Sequence, residues 1–194
     1  MNKGKNYANR KPLDQRPEAD FYGTPISLVW ELAKTGVLDK MSTPIYEPAS
    51  GEGAIAHTLK DMGFSVIEDD IRTTGKDFLQ YEEKHGCIVT NPPFSLFDDF
   101  VMKAKEVSPL VIMIAKTNFF GAYKRNETGV WKNLREVHIF NRQVDYRSPK
   151  RKDGLFHVGN LITGWFVWDR DWKEDYWKTH IMDVQKYAKL GGVK

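Results

Sequence analysis

Short apolar runs alternate with amphipathic stretches along most of this chain, and no other feature of the sequence restricts its fold as strongly. Runs of strand length occur at 45–46, 64–67, 87–90 and 109–115, and the last of them, "PLVIMIA", is continuous, as in a strand covered on both faces. The segments between them carry apolar residues at three- and four-residue spacing, which predicts helices. The alternation therefore predicts an α/β fold in which an open, largely parallel sheet has helices on both faces.

The first helix and the C-terminal region carry further signals. Thr24 is predicted to cap the first helix, with Pro25 at its first helical position. Two more strands are predicted at 136–140 and 161–168, and the stretch 171–190 is predicted to be a terminal helix.

One domain accounts for nearly the whole sequence. Residues 1–19 are polar, basic and poor in aliphatic side chains, which predicts a flexible N-terminal arm. The remaining residues, 20–194, contain no clear linker and no repeat, and a chain of 194 residues has room for one good core. A single domain over 20–194 is expected.

Three chemically unusual stretches each follow a predicted strand: "EPASGEG" at 47–53, "EDD" at 68–70 and "NPPF" at 91–94. Ligands of open α/β sheets bind beyond the carboxyl ends of the strands. These stretches are therefore expected to lie together at the ligand-binding edge of the sheet.

The stretch "EPASGEG" is typical of a turn that lets a ligand approach the backbone, because Gly51 and Gly53 permit positive φ angles. It lacks the Lys-Ser/Thr of a phosphate loop, which argues against nucleoside triphosphate hydrolysis. Glu47 places a negative charge where a pyrophosphate would be repelled, and so favours a ligand with positive charge. A turn that merely packs a helix on the sheet would show the same glycines.

Two acidic positions fit an adenosine ligand. Asp70 follows the next strand, where an acid commonly accepts hydrogen bonds from ribose hydroxyls, although Glu68 and Asp69 compete for that role. Asp77 and Phe78 place a carboxylate beside a ring, a pair that could hold the amino edge and the face of an adenine. A helix-capping aspartate and a core phenylalanine would give the same pattern.

The "NPPF" stretch predicts a rigid pair of hydrogen-bond acceptors. Pro92 lacks a backbone donor, and Pro93 restricts the conformation of Pro92 in turn. The amide of Asn91 and the carbonyl of Pro92 can then accept both hydrogens of one amino group, which localises the lone pair on its nitrogen. Phe94 can stack on the base that carries the amino group.

Composition excludes several other classes of protein. The single cysteine, Cys87, excludes an internal disulfide, and the five histidines show no paired ligand spacing, so no metal site is predicted. No apolar stretch reaches the length of a membrane span and no signal-peptide core is present, so a cytoplasmic protein is expected. The net charge of +3 fits an anionic partner but does not require one.

Together these stretches resemble the class I S-adenosylmethionine-dependent amino-methyltransferases, specifically the DNA adenine-N6 family and its small phage- and prophage-type members. The resemblance covers roughly residues 20 to 170 and includes "YGTP" at 22–25, which is similar to the family's N-terminal cofactor motif. It implies a Rossmann-like, seven-stranded, mostly parallel sheet with one antiparallel strand near an edge. It also implies methyl transfer from S-adenosylmethionine to the N6 amino group of adenine in DNA.

The resemblance implies a role for each motif residue. The methionine part of the cofactor is expected beside Thr24, Glu47, Gly51 and Gly53, its ribose at Asp70, and its adenine at Asp77 and Phe78. The catalytic residues implied are Asn91, Pro92, Pro93 and Phe94, with phenylalanine in place of the commoner tyrosine.

The chain leaves little room for a separate target-recognition domain, so sequence recognition would be brief, lax or borrowed from a partner in a homodimer. The basic loop 147–160 is the candidate for contact with the DNA backbone, through Arg147, Lys150, Arg151 and Lys152. A solvated lysine-rich loop would look the same.

Alternatives to this function remain. Related motifs serve enzymes that methylate RNA bases or the glutamine amide of release factors, although the latter usually carry an extra N-terminal helical domain. A non-catalytic binding module with the same fold is the alternative of another class. A dinucleotide-dependent dehydrogenase is disfavoured because the three-glycine fingerprint is missing.

Overall fold

The protein is described by a computed structural model over residues 23–39, 41, 44–146 and 159–184. Within these residues, seven strands form one sheet, accompanied by four α-helices and three short 3-10 turns. The strands are β1 (Ile45–Glu47), β2 (Val66–Glu68), β3 (Cys87–Thr90), β4 (Leu110–Lys116), β5 (Leu134–Phe140), β6 (Thr163–Asp169) and β7 (Lys178–Met182). The helices are α1 (Ile26–Lys34), α2 (Ala54–Asp61), α3 (Phe97–Val107) and α4 (Tyr123–Thr128).

The strand order is β2-β1-β3-β4-β6-β5-β7. The strands β2, β1, β3 and β4 are parallel to one another, β6 runs antiparallel to both of its neighbours, and β5 pairs with β7 in parallel. The predicted α/β class, with a seven-stranded and mostly parallel sheet, is confirmed.

Two hydrophobic cores cover the two faces of the sheet because side chains alternate along each strand. On one face, α1 and α2 pack over residues such as Ile45 and Val89. On the other face, α3 packs over residues such as Tyr46 and Ile88. The buried indole of Trp165 also donates a hydrogen bond to the carbonyl of Leu28, at 2.9 Å, and so joins β6 to α1.

The predicted terminal helix at 171–190 is wrong over its described part. Its residues Lys178–Met182 form β7, which pairs with the outer edge of β5. Without β7, one edge of β5 would be unpaired. Its backbone N–H and C=O groups gain hydrogen-bond partners when Lys178–Met182 is extended, and this outweighs the helical pattern of the segment.

Thr24 does not cap α1, contrary to the prediction. The capping position belongs to Pro25, which lies outside the helix, and no side chain provides a cap. The Thr24 hydroxyl instead accepts a hydrogen bond from Asn91, so it belongs to the carboxyl edge of the sheet rather than to the helix.

The predicted arm at 1–19 and most of the basic loop, including Arg147, Lys150, Arg151 and Lys152, lie outside the described residues. Among the helices that are described, none is both long enough and apolar enough to cross a bilayer.

Candidate active site

The carboxyl ends of β1, β2, β3 and β4 lie at one edge of the sheet because these strands are parallel neighbours. The glycine turn follows β1, the acidic stretch follows β2, and the "NPPF" stretch follows β3. The sheet thus brings together the three stretches that the sequence placed at its ligand-binding edge.

The glycine turn needs its glycines for conformational reasons. Gly51 has a φ of 57° and Gly53 a φ of 79°, both in the left-handed region. A Cβ atom on Gly53 would also lie 2.5 Å from Cε1 of His57 on the next turn of α2. The turn borders an open cleft of about 260 Å³ lined by polar and small residues: Ser50, Gly51, Glu52, Gly53, His57, Glu68, Thr73 and Thr74.

Glu47 is a buried carboxyl group at the start of this turn, with 1% of its surface exposed. Burial above all, together with the nearby carboxylates of Glu68 and Asp70, raises its pKa to about 8, while a hydrogen bond from the Ala56 backbone opposes the shift. Its Oε2 atom has no hydrogen-bond partner within the described part of the chain. A cationic group at this edge would supply both the missing partner and the countercharge.

Glu68, the last residue of β2, and Asp70, two residues later, make different contacts. Asp70 accepts a hydrogen bond from the backbone of Gly51, at 3.0 Å, and its other oxygen accepts from the backbone and guanidinium of Arg72. Glu68 lines the cleft, where Lys60 pairs with it from α2. Asp70 therefore holds the glycine turn in place, and Glu68 faces the cleft, as Glu52 of the turn also does.

The predicted adenine contacts have clear local roles. The side chain of Asp77 accepts a hydrogen bond from the Leu79 backbone at 3.1 Å and so caps the 3-10 turn Phe78–Gln80. Phe78 is 3% exposed and packs against Phe100 at a ring-centroid distance of 5.1 Å. The geometry thus matches a cap and a core ring, and contact with an adenine stays a prediction.

The "NPPF" stretch follows the end of β3. Its first two residues, Asn91 and Pro92, are called the hook below, and the side-chain amide of Asn91 is oriented by a neighbouring residue. The Asn91 Nδ2 atom donates to the Thr24 hydroxyl at 3.1 Å, with both side chains buried. This bond takes up a donor hydrogen of the amide and orients the side chain, whose carbonyl oxygen can only accept hydrogen bonds. Pro93 has φ −57° and ψ 123°, an extended conformation that starts the turn at Phe94.

A group of cationic and aromatic side chains surrounds Phe94. The Lys116 Nζ atom lies 4.6 Å from the centroid of the Phe94 ring, and Phe119 and Tyr146 meet that ring edge-on. Arg125 lies over the face of Phe119 at 4.1 Å. Lys116 and Phe119 were not predicted from the sequence, although Lys116 ends β4 and Phe119 follows it, so the strand-end rule that found the other motifs applies to them equally.

No protein-family model matches this sequence, and no curated protein matches it significantly. Solved structures do match. The 23S rRNA methyltransferase ErmE has a TM-score of 0.52 at 18% identity, over 79% of this chain and 70% of that one. A protein from Pyrococcus horikoshii, provisionally named as an RNA methyltransferase, has a TM-score of 0.56 at 18% identity, over 80% of this chain and 90% of that one.

A methyltransferase subunit of the type I restriction-modification system from Streptococcus thermophilus has a TM-score of 0.51 at 11% identity. The match covers 78% of this chain and 45% of the subunit. At such identities the likeness shows the fold alone. Together with the strand order, it shows that the chain has the Rossmann-like fold of class I methyltransferases.

Proposed function

We propose that this protein transfers a methyl group from S-adenosylmethionine to the N6 amino group of adenine in DNA. The observation that carries the proposal is the position of the Asn91–Pro92 hook. It leaves β3 directly beside β1, which ends at the buried Glu47 and leads into the glycine turn that borders the cleft. A methyl donor bound along the turn and an amino group held by the hook would therefore meet at one edge of the sheet.

The glycine turn and the cleft that it borders have groups for the methionine and ribose parts of the cofactor. Glu47, whose buried Oε2 atom has no partner among the residues that the structure describes, suits the ammonium group of the methionine part. Gly51 and Gly53 allow close approach of the ligand to the backbone. We assign the hydrogen bonds from the ribose hydroxyls to Glu68, because it faces the cleft. Asp70 would contribute indirectly, because its bond to Gly51 holds the glycine turn in place.

The reaction requires positioning more than acid-base catalysis. The Asn91 carbonyl oxygen and the Pro92 carbonyl would accept the two hydrogens of the target amino group, so that the nitrogen lone pair is directed at the methyl carbon. A new N–C bond forms as the S–C bond of the sulfonium breaks, and the sulfur keeps the electron pair. The methylated nitrogen then loses one proton to water.

The surroundings of Phe94 suit a nucleobase with a neighbouring phosphate. Aromatic rings stack on bases, and lysine or arginine side chains attract the nucleic acid backbone. Lys116 over Phe94 and Arg125 over Phe119 provide both elements in described residues. The predicted contacts of Arg147, Lys150, Arg151 and Lys152 would extend this surface, and a homodimer could extend it further.

The direct test is to incubate the purified protein with methyl-labelled S-adenosylmethionine and DNA, and then to identify N6-methyladenine in the DNA. Asn91→Ala should abolish transfer while cofactor binding persists, because the hook acts on the substrate. Asn141→Ala is the matched control, since Asn141 is an exposed asparagine at the end of β5 whose amide bonds to Asp183. That variant should retain full transfer.

Other outcomes would redirect the assignment. Transfer to RNA or to a protein glutamine, with none to DNA, would refute DNA as the substrate and keep the reaction class. Cofactor binding without transfer to any of these acceptors would favour a non-catalytic module. Failure to bind S-adenosylmethionine or S-adenosylhomocysteine at all would refute the cofactor assignment itself.

The two candidate ribose acids can be separated by their different environments. Glu68→Gln should weaken cofactor binding by about tenfold and leave the melting temperature nearly unchanged, because Glu68 lies partly exposed in the cleft. Asp70→Asn should lower the melting temperature as well, because it disturbs the bonds to Gly51 and Arg72. Equal effects of both variants on binding and on stability would contradict this division.

A further inference from the structure

Two histidines and a glutamate lie together on one face of the sheet, on the two strands β5 and β7 at one end of the strand order. Glu136 and His138 lie on β5, and His180 lies on β7. The Nε2 atom of His138 is 3.0 Å from Oε2 of Glu136, and the rings of His138 and His180 stack at a centroid distance of 4.8 Å. One possible ligand atom from each residue lies within 4.8 Å of the other two.

Strand pairing creates this cluster. The parallel register of β5 and β7 places His138 opposite His180, and residues two apart on a strand share a face, which places Glu136 beside His138. The histidines are distant in the sequence, and the stretch that contains His180 has the pattern of a helix. Sequence spacing alone therefore predicted no metal site.

We propose that Glu136, His138 and His180 form a binding site for a divalent first-row transition-metal ion of the zinc type. Two imidazole nitrogens and one carboxylate oxygen are a donor set that such ions accept, with a fourth position left for water. Small side-chain rotations would draw the three ligand atoms onto one ion.

The surroundings of the cluster support a metal-binding role. The Nε atom of Arg135 bonds to Oε1 of Glu136 at 2.9 Å, which orients the carboxylate and leaves Oε2 as its metal-facing oxygen. His138 is buried, which fixes its ring, whereas His180 is exposed, which gives an ion a path from solvent. The ion would thus lie at the surface between a rigid ligand and an accessible one.

The site is separate from the proposed cofactor cleft. The strand order places β5 and β7 at one end of the sheet and β1 and β2 at the other. A bound ion would tie the edge strand β7 to β5 and would not touch the glycine turn. The inference therefore does not depend on the proposed function.

The test uses the full chain, freed of metal with a chelator and then titrated with zinc chloride in a calorimeter. The wild-type protein should bind one zinc ion at this site, and saturating zinc should raise its melting temperature. His180→Ala and Glu136→Gln should each weaken zinc binding by at least about tenfold. Because His180 is exposed and glutamine can keep the bond to His138, both variants are expected to fold.

His57→Ala is the matched control, because His57 is also an exposed histidine beside a carboxylate, at 4.0 Å from Glu68. It should leave the affinity for zinc and the zinc-dependent rise in melting temperature unchanged. Failure of the wild-type protein to bind zinc would overturn the inference. So would equal zinc affinity in wild type and His180→Ala, or an equal loss of affinity in His57→Ala.

Discussion

Binding of a ligand ammonium group beside Glu47 should release a proton into solution. Burial raises the pKa of this carboxyl to about 8. At pH 7 it is therefore ionised in only about one-tenth of the free protein molecules. A cationic partner favours the charged form, and a fall in pKa to about 6 on binding would release about 0.8 proton per ligand.

Isothermal titration calorimetry measures this proton release. Binding of S-adenosylhomocysteine at pH 7 is compared in two buffers with different ionisation enthalpies, and the difference in observed heat gives the number of protons exchanged. The ligand's own amino group, with an ordinary pKa of about 8, contributes an uptake of about 0.1 proton. Glu47→Gln keeps the shape of the side chain and removes its titration, so it should show only that small uptake. The same proton exchange in wild type and Glu47→Gln would refute the reasoning.

The same carboxyl makes stability depend on pH with a definite sign. The pKa of Glu47 is higher in the folded protein than its ordinary value of 4.5, so folding takes up a proton. Proton uptake by Glu47 stabilises the folded protein fully below about pH 4.5, and this stabilisation is lost as pH rises through about 8. Its upper limit is about 5 kcal/mol in the free energy of unfolding. Urea unfolding should therefore find Glu47→Gln more stable than wild type at pH 9, and this advantage should shrink towards pH 5.

Three further variants test particular contacts. Gly53→Ala should destabilise the turn by about 1–2 kcal/mol, because Gly53 has a left-handed backbone, and should weaken cofactor binding. Adding His57→Ala should remove the steric clash between the new Cβ atom and the His57 ring and so restore part of the binding. Identical cofactor binding in the single and double variants would contradict that clash. Thr24→Val should lower kcat by about tenfold at unchanged cofactor Kd if Thr24 acts by orienting the catalytic amide, whereas a raised Kd with normal kcat would indicate direct cofactor contact. Trp165→Phe should lose about 1 kcal/mol of unfolding free energy with the bond to Leu28, measured by urea denaturation, and an unchanged midpoint would contradict that value.

The location of the candidate site was predictable from the sequence because it follows from strand order and chain direction alone. Parallel strands place their carboxyl ends together, so any motif that follows such a strand reaches the same edge. Gly51 and Gly53 fit this rule, and so does the hook that begins at Asn91. None of these positions depends on which side chains pack nearby.

The partners of individual side chains were not predictable in this way. Thr24 has the sequence signature of a helix cap, but a buried amide far along the chain takes its hydroxyl. Asp70 has the spacing of a ribose acid, but the backbone of Gly51 occupies one of its oxygens. His180 lies in a helix-like pattern, but the open edge of β5 extends that segment. For Thr24 and His180 a long-range contact outweighed a local preference, whereas the ribose role of Asp70 stays a prediction.

The contrast between Glu47 and Asn91 supports the assignment of a ligand to this edge. A fold selected only for stability would pair a buried carboxyl or replace it, because an unpartnered polar atom in the interior costs free energy. Asn91 has a protein partner that orients its amide, whereas Oε2 of Glu47 has none in the described residues and the carboxyl is held largely protonated. The Asn91 amide is oriented before any ligand binds, whereas the Glu47 carboxyl lacks the countercharge that a cationic ligand would bring. The two are on adjacent strand ends, so the unfavourable burial of Glu47 has a physical explanation if that ligand is the methyl donor for the amino group which Asn91 is positioned to hold.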